Sequence, residues 1–131
     1  MSVDPIRTVH DWLAAVNAGD VEGALALTAP DVVIVGPRGE ARGHEVLRAW
    51  MGHAGATFQT RKTFAARDAV VVAQHGVWRD AETGAVRGEA AVATRFRVAD
   101  ARVAEMARYD DVTAALQAAG LTESNRQPDG S

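Results

Sequence analysis

The apolar residues of this chain change period after about residue 53, and that change limits the folds open to it. Before that point they recur at helical spacing. Ile6, Val9, Trp12, Leu13 and Val16 mark one face of a first helix, started by Asp4-Pro5 and stopped at Gly19. Asp20 restarts a short second helix whose Val21, Ala24, Leu25 and Leu27 point inward, and Pro30 ends it. Val32 to Val35 reads as a short β-branched strand, followed by a turn at residues 36–39. Residues 43–53 predict a third helix with Val46, Leu47, Trp50 and Met51 as its apolar side. Beyond it the pattern alternates. Phe58, Thr60, Lys62 and Phe64 interleave with Gln59, Arg61 and Thr63. Three long strands follow at residues 69–79, 86–98 and 102–109, joined by turns at 80–84 and 99–101. Asp110-Asp111 opens a last helix with Val112, Ala115, Leu116 and Ala119, closed by Gly120. Helices first and a strand meander later is an α+β pattern, with helices gathered on a curved antiparallel sheet. Residues 1–121 read as a single domain. Residues 122–131 hold no apolar side chain and read as a disordered tail.

Composition removes several function classes. There is no cysteine among the 131 residues, so disulfides, thiolate catalysis and thiolate metal sites are excluded. A formal charge of −3 gives no electrostatic reason to expect nucleic acid or an anionic membrane as partner. No apolar run is long enough to span a bilayer, and residues 1–5 lack the features of a signal peptide, so the chain reads as cytoplasmic. The four histidines, at 10, 44, 53 and 75, show no metal spacing. The three serines, at 2, 124 and 131, are all terminal, which disposes of a serine nucleophile. No phosphate loop, dinucleotide fingerprint or nucleophile elbow is present, so no cofactor is expected.

Several segments carry a family resemblance. They are Ala14-Ala15-Val16-Asn17-Ala18-Gly19-Asp20, Gly43 before the third helix, and Arg95-Phe96-Arg97 in the strand at residues 86–98. The ending Tyr109-Asp110-Asp111 with Leu116-Gln117-Ala118-Ala119-Gly120-Leu121 completes the set. In this order they resemble the SnoaL-like and ketosteroid-isomerase-like proteins of the nuclear transport factor 2-like superfamily, over about residues 4–121. The resemblance implies a cone-shaped half-barrel. About three N-terminal helices would cover the concave face of the sheet, a short C-terminal helix would follow, and a pocket would lie inside. It also implies a homodimer through the outer sheet face.

Steroid isomerase chemistry is not carried over. Trp12 falls where such isomerases have a tyrosine, Gly36 where they have the aspartate base, and Thr94 where they have a protonated aspartate. None of the three residues can do the corresponding proton chemistry.

The family register supplies an expected pocket lining. With Thr94 inward, Val92, Phe96 and Val98 follow on the same strand, leaving Arg87, Glu89, Arg95 and Arg97 outside. The same register turns Val71, Ala73, His75 and Val77 inward on the preceding strand, and Ala104, Met106 and Arg108 inward on the next. Trp12 and Trp50 are either pocket walls or plain core. Asn17 either orients a ligand or caps the first helix. His75 is the candidate base, or else a core histidine satisfied by backbone. Asp110 is its candidate partner, or else it or Asp111 caps the last helix. Arg108 either binds an anionic group or pairs with Asp110 or Glu105.

Two functions are consistent with this. One is a cofactor-free, metal-free acid–base enzyme of isomerase, cyclase or dehydratase type. It would act on a small, mostly apolar metabolite, with or without a carbonyl group, through His75 and Asp110. The other is a non-catalytic ligand-binding or dimerisation module of the same fold. An inward His75 favours the first, and the missing carboxylates at Gly36 and Thr94 favour the second.

Overall fold

Period-two burial in one central strand organises the molecule. The computed structural model describes residues 4–36, 39–54, 56–80 and 82–127. Its elements run α1 (Pro5–Asn17), α2 (Val21–Ala26), β1 (Thr28–Gly36), β2 (Gly39–Arg42), α3 (His44–Ala54), β3 (Ala56–Ala66), β4 (Ala69–Arg79), β5 (Val86–Ala99), β6 (Arg102–Tyr109) and α4 (Val112–Ala119). The strands form one curved, unclosed sheet in the order β2-β1-β6-β5-β4-β3. It is mixed rather than wholly antiparallel, because β1 returns to lie parallel to β6 after the helical lid. The expected short strand at residues 32–35 extends back through Pro30, and β2 adds an edge strand that the sequence pattern did not suggest. No described helix is long and apolar enough to cross a membrane.

A separate cluster packs on each face of the sheet. On the concave face, Val9, Trp12, Leu13, Val16, Leu25 and Leu47 of the three helices meet Val70, Val72, Phe96, Val98 and Met106. On the outer face, Ala115 and Leu116 of α4 meet Phe64, Val71 and Ala93, with Leu121 beside them. Phe58 and Phe64 read as one alternating face in sequence. A bulge between Thr60 and Lys62 separates them, sending Phe58 inward and Phe64 outward.

Local caps hold the helices as their sequences imply. Asp4 accepts from the Ile6 amide at 3.0 Å, Asp20 from Gly23 at 3.0 Å, and Asp111 from Ala114 at 2.8 Å. Gly120 closes α4 at φ 73°, the left-handed conformation that glycine tolerates. Residues 122–127, expected as part of a disordered tail, are ordered instead. Thr122 caps a single 3-10 turn at Glu123–Asn125, Arg126 bridges to Phe64, and the Gln127 amide bonds the Thr63 carbonyl at 2.8 Å. Residues 128–131 of that expected tail lie outside the described residues.

Thr28 ties the lid to the sheet. Its buried hydroxyl accepts from Trp12 Nε1 at 2.9 Å and donates to the Ala24 carbonyl at 2.7 Å, while its own carbonyl bonds His44 Nε2 at 2.9 Å. Thr28→Val keeps the shape and strands the buried indole N–H. It should destabilise the domain by about 1–3 kcal/mol in denaturant melts, within the range for a buried unsatisfied donor. An unchanged midpoint would mean the hydroxyl is not the joint described here.

Candidate functional site

The site is built on the concave side of β4, β5 and β6. Across these strands Val70 pairs with Phe96, Val72 with Thr94, and Gln74 with Val92. Phe96 in turn pairs with Met106, and Thr94 with Arg108. Directly opposed residues share a face, so Gln74, Thr94 and Arg108 form a polar row across three strands. Trp12, Leu13, Trp50 and Phe58 complete a lining with Phe96 and Met106. The enclosed space offers about 20 Å³ to the centres of water-sized molecules. That is room for about one water.

This register moves several expected residues. β4 has no bulge between Val71 and His75, so Val71, Ala73, His75 and Val77 share the outer face. Val71 packs under α4. His75 Nε2 meets Glu89 Oε1 at 2.9 Å, with side-chain exposures of 33% and 57%. His75 is therefore not a pocket residue, and Val71 and Ala73 are not pocket walls. The physical cause is a second bulge. Near the hairpin Arg79 pairs with Val86 but Trp78 pairs with Gly88, leaving Arg87 as an extra residue. Without it Thr94 would face Val71, and the expected inward set would follow. A third bulge makes Ala104 the extra residue of β6, where it lines a surface cleft with Val33 and Arg97.

Asp110 does not meet His75. It is exposed just beyond β6 and acts electrostatically on Arg108, while the adjacent Asp111 is the helix cap. Asn17 neither caps α1 nor lines the cavity. Its amide clamps the Phe58 backbone at both N–H and C=O, each at 2.9 Å. Val92 is buried opposite Gln74 but is not in the lining, whereas Trp12, Trp50, Thr94, Phe96, Met106 and Arg108 are brought together around the cavity.

Aromatic rings run through the site in a chain. Trp12 meets Phe96 edge-on at 5.4 Å and lies parallel to Trp50 at 6.5 Å. Trp50 stacks with Phe58 at 6.2 Å, and Phe58 meets Trp78 edge-on at 6.2 Å. The Arg108 guanidinium lies over both final rings, 5.2 Å from the Phe58 centroid and 5.7 Å from that of Trp78. Burial pushes the Arg108 pKa down, and Asp110 offsets only part of that. Arginine's high intrinsic pKa keeps the group charged at neutral pH. Gly76 makes this closure fit: a Cβ there would stand 3.0 Å from Trp78 Cη2 and 3.3 Å from Phe58 Cδ1.

Among the described residues, two buried side-chain polar atoms lack a hydrogen-bond partner: Gln74 Nε2 and Arg95 Nε. Arg95 bonds Glu105 through another nitrogen on the outer side of β5. Burial lowers the Arg95 pKa, but its interactions with Tyr109 and Glu105 outweigh that and leave it raised. Gln74 is different. It is 3% exposed, its Oε1 accepts from Thr94 Oγ1 at 2.9 Å, and its Nε2 donor is unused beside the cavity. Among the described residues no group of three or more His, Asp or Glu side chains is placed to hold a metal.

Sequence reasoning missed Gln74, Phe58, Trp78 and Gly76. A glutamine directly after the apolar run Val70-Val71-Val72-Ala73, in the middle of the strand, was the available signal for the first. A glycine in a strand interior, marking close approach, was the signal for the last.

The comparisons with known proteins agree with this architecture. The SnoaL-like domain family matches residues 9–106, well over half of the chain, and the chain belongs to that family. Among solved structures it is similar to an NTF2-like protein of unknown function from Cytophaga hutchinsonii. That match has 15% identity and a TM-score of 0.72, covering 87% of this chain and 96% of the other. It is also similar to a protein from Mycobacterium tuberculosis in complex with estradiol-17beta-hemisuccinate, with 23% identity, a TM-score of 0.73, and 85% and 97% covered. A third is a putative polyketide cyclase from Sinorhizobium meliloti, with 15% identity, a TM-score of 0.67, and 82% and 100% covered. At these identities the likeness is one of fold. No curated protein sequence matches the chain.

The double substitution Gln74→Met with Thr94→Val removes the unused donor together with the hydroxyl bonded to that side chain. Replacing both partners by apolar groups of similar shape should leave the melting temperature unchanged or raise it. A lower melting temperature, with a loss of unfolding free energy of more than about 1 kcal/mol, would mean that the polar pair stabilises the domain.

Proposed function

We propose that this domain binds a small, mostly apolar metabolite carrying an oxygen acceptor, and that it does so as a binding module rather than as an acid–base catalyst. The unused Gln74 Nε2 donor carries this reading. A buried amide donor without a partner costs about 1–3 kcal/mol, and a ligand carbonyl or carboxylate would relieve that cost. The remaining lining is aromatic or aliphatic, which suits an apolar body.

The lining also argues against proton transfer. Among the described residues Arg108 is its only ionisable member, and it stays protonated. A general base must come within hydrogen-bond reach of the proton it takes. His75, on the other face beside Glu89, is not placed to do so. In similar folds a steroid hemisuccinate complex and a putative polyketide cyclase are both found, so the fold itself does not choose between binding and catalysis.

The interior is smaller than such a ligand, so side chains must move on binding. A surface groove of about 370 Å³ between α1 and β3 shares Leu13 and Phe58 with the cavity. We place the entry there, with Phe58 as the wall that yields. We also propose the outer sheet face for a homodimer, as the family resemblance implies. α4 covers the middle of that face, which confines the contact to strips on either side.

All three tryptophans of the chain belong to the ring system of this site. Titration with acetophenone should quench tryptophan emission saturably, with the response weakened about tenfold in Gln74→Met, the loss of one good hydrogen bond. The response should be unaltered in His75→Ala. Equal loss in His75→Ala, or no saturable quenching by any small aromatic ketone, would contradict this reading.

A further inference from the structure

We infer that the acceptor received here is anionic: a carboxylate on a flat, apolar body, held between Gln74 Nε2 and the Arg108 guanidinium. This inference rests on the binding reading above and specifies its ligand. The cross-strand row is the first reason. Thr94 stands directly opposite Arg108 on one side and bonds Gln74 on the other, so both groups flank the same residue. The Thr94 hydroxyl already donates to Gln74 Oε1. The Gln74 amide and the guanidinium are left as donors for a ligand.

Charge is the second reason. Among the described residues no carboxylate lines the cavity, so that lining carries one positive charge and no negative one. Among the described residues Arg108 makes no ion pair; the ring faces of Phe58 and Trp78 are its near neighbours, and Asp110 acts on it from an exposed position. A partly buried cation with such compensation gains most from an anion brought to it in a dry setting. A neutral ketone would satisfy Gln74 and leave the guanidinium on the rings. A doubly charged head group would exceed the single positive charge of the lining.

Shape is the third reason. Trp12, Trp50 and Phe58 lie nearly parallel in sequence, with interplanar angles of 13° and 17°. Parallel ring faces favour a flat partner over a globular aliphatic one. Binding then exchanges one contact for another: the guanidinium leaves Phe58 and Trp78 for the carboxylate, and the freed Phe58 gives way to the ligand body.

Three acid–ester pairs of rising size test this: benzoate, cinnamate and 2-naphthoate, each against its methyl ester, by calorimetry at low salt. For at least one pair the wild type should bind the acid about tenfold or more tighter than the ester, as a charge-assisted bond requires. Arg108→Gln should erase that preference, so that acid and ester bind within about threefold of each other. Asp110→Asn, which removes the competing carboxylate, should tighten the acid and leave the ester alone. It tests the same claim should Arg108→Gln fail to fold. His75→Ala should change neither. Equal binding of acid and ester by the wild type would overturn the anionic assignment and leave the binding function standing. An acid preference that survives in Arg108→Gln would also overturn it. Failure of every acid and every ester to bind would instead remove the binding function, and this inference with it.

Discussion

The pairing of β4 with β5 is the constraint on which the rest depends. β4 is buried on both faces, and strand side chains alternate with a period of two. Its register therefore assigns every residue of the strand at once. With Val72 opposite Thr94, the even-numbered residues face the helical lid and the odd-numbered ones the outer side, where Ala69 and Val71 pack with α4. A shift of one residue would exchange Gln74 for His75 in the interior and turn a hydrogen-bonding pocket into one with a titratable base. The bulge at Arg87 chooses between these outcomes, and it lies in an exposed hairpin some distance along the strand.

The polar content of the interior follows from that choice. Thr94 and Gln74 satisfy each other at one pair of atoms and leave one donor over. Arg108 enters from the next strand, and its charge rests on aromatic faces rather than on a carboxylate salt bridge. Two backbone features keep these rings in place. The Asn17 clamp fixes Phe58 on the edge strand, and Gly76 leaves space for Phe58 and Trp78 above the sheet. The site is thus closed by packing and a few directional bonds, at a position where a ligand could replace them.

Much of the fold was legible in the sequence because it depends on local signals. Asp4-Pro5, Asp20 and Gly120 mark helix ends by their own side chains or conformations, and the change from helical to alternating spacing separates the lid from the sheet. The family resemblance was legible for the same reason, being a series of such signals in order. The site was less so. Trp12, Trp50, Thr94, Phe96, Met106 and Arg108 were on faces that alternation and register assign correctly, but three bulges broke the count elsewhere. An unpaired extra residue in a strand has no strong sequence mark when it is alanine or arginine, as at Ala104 and Arg87. Order at residues 122–127 was illegible for a different reason. Those residues are polar and are held by a cap and backbone bonds to β3.

The function proposed here requires that Gln74, and not His75, faces the interior on the same side of the sheet as Arg108. Nuclear Overhauser contacts of labelled protein read this directly. The account predicts contacts from the Gln74 side-chain amide protons to the cavity walls formed by Trp12, Phe96 and Met106, with the His75 ring protons near Glu89 and the other residues of the outer sheet face. His75 ring protons in contact with those walls, and a Gln74 amide exchanging freely with solvent, would contradict it.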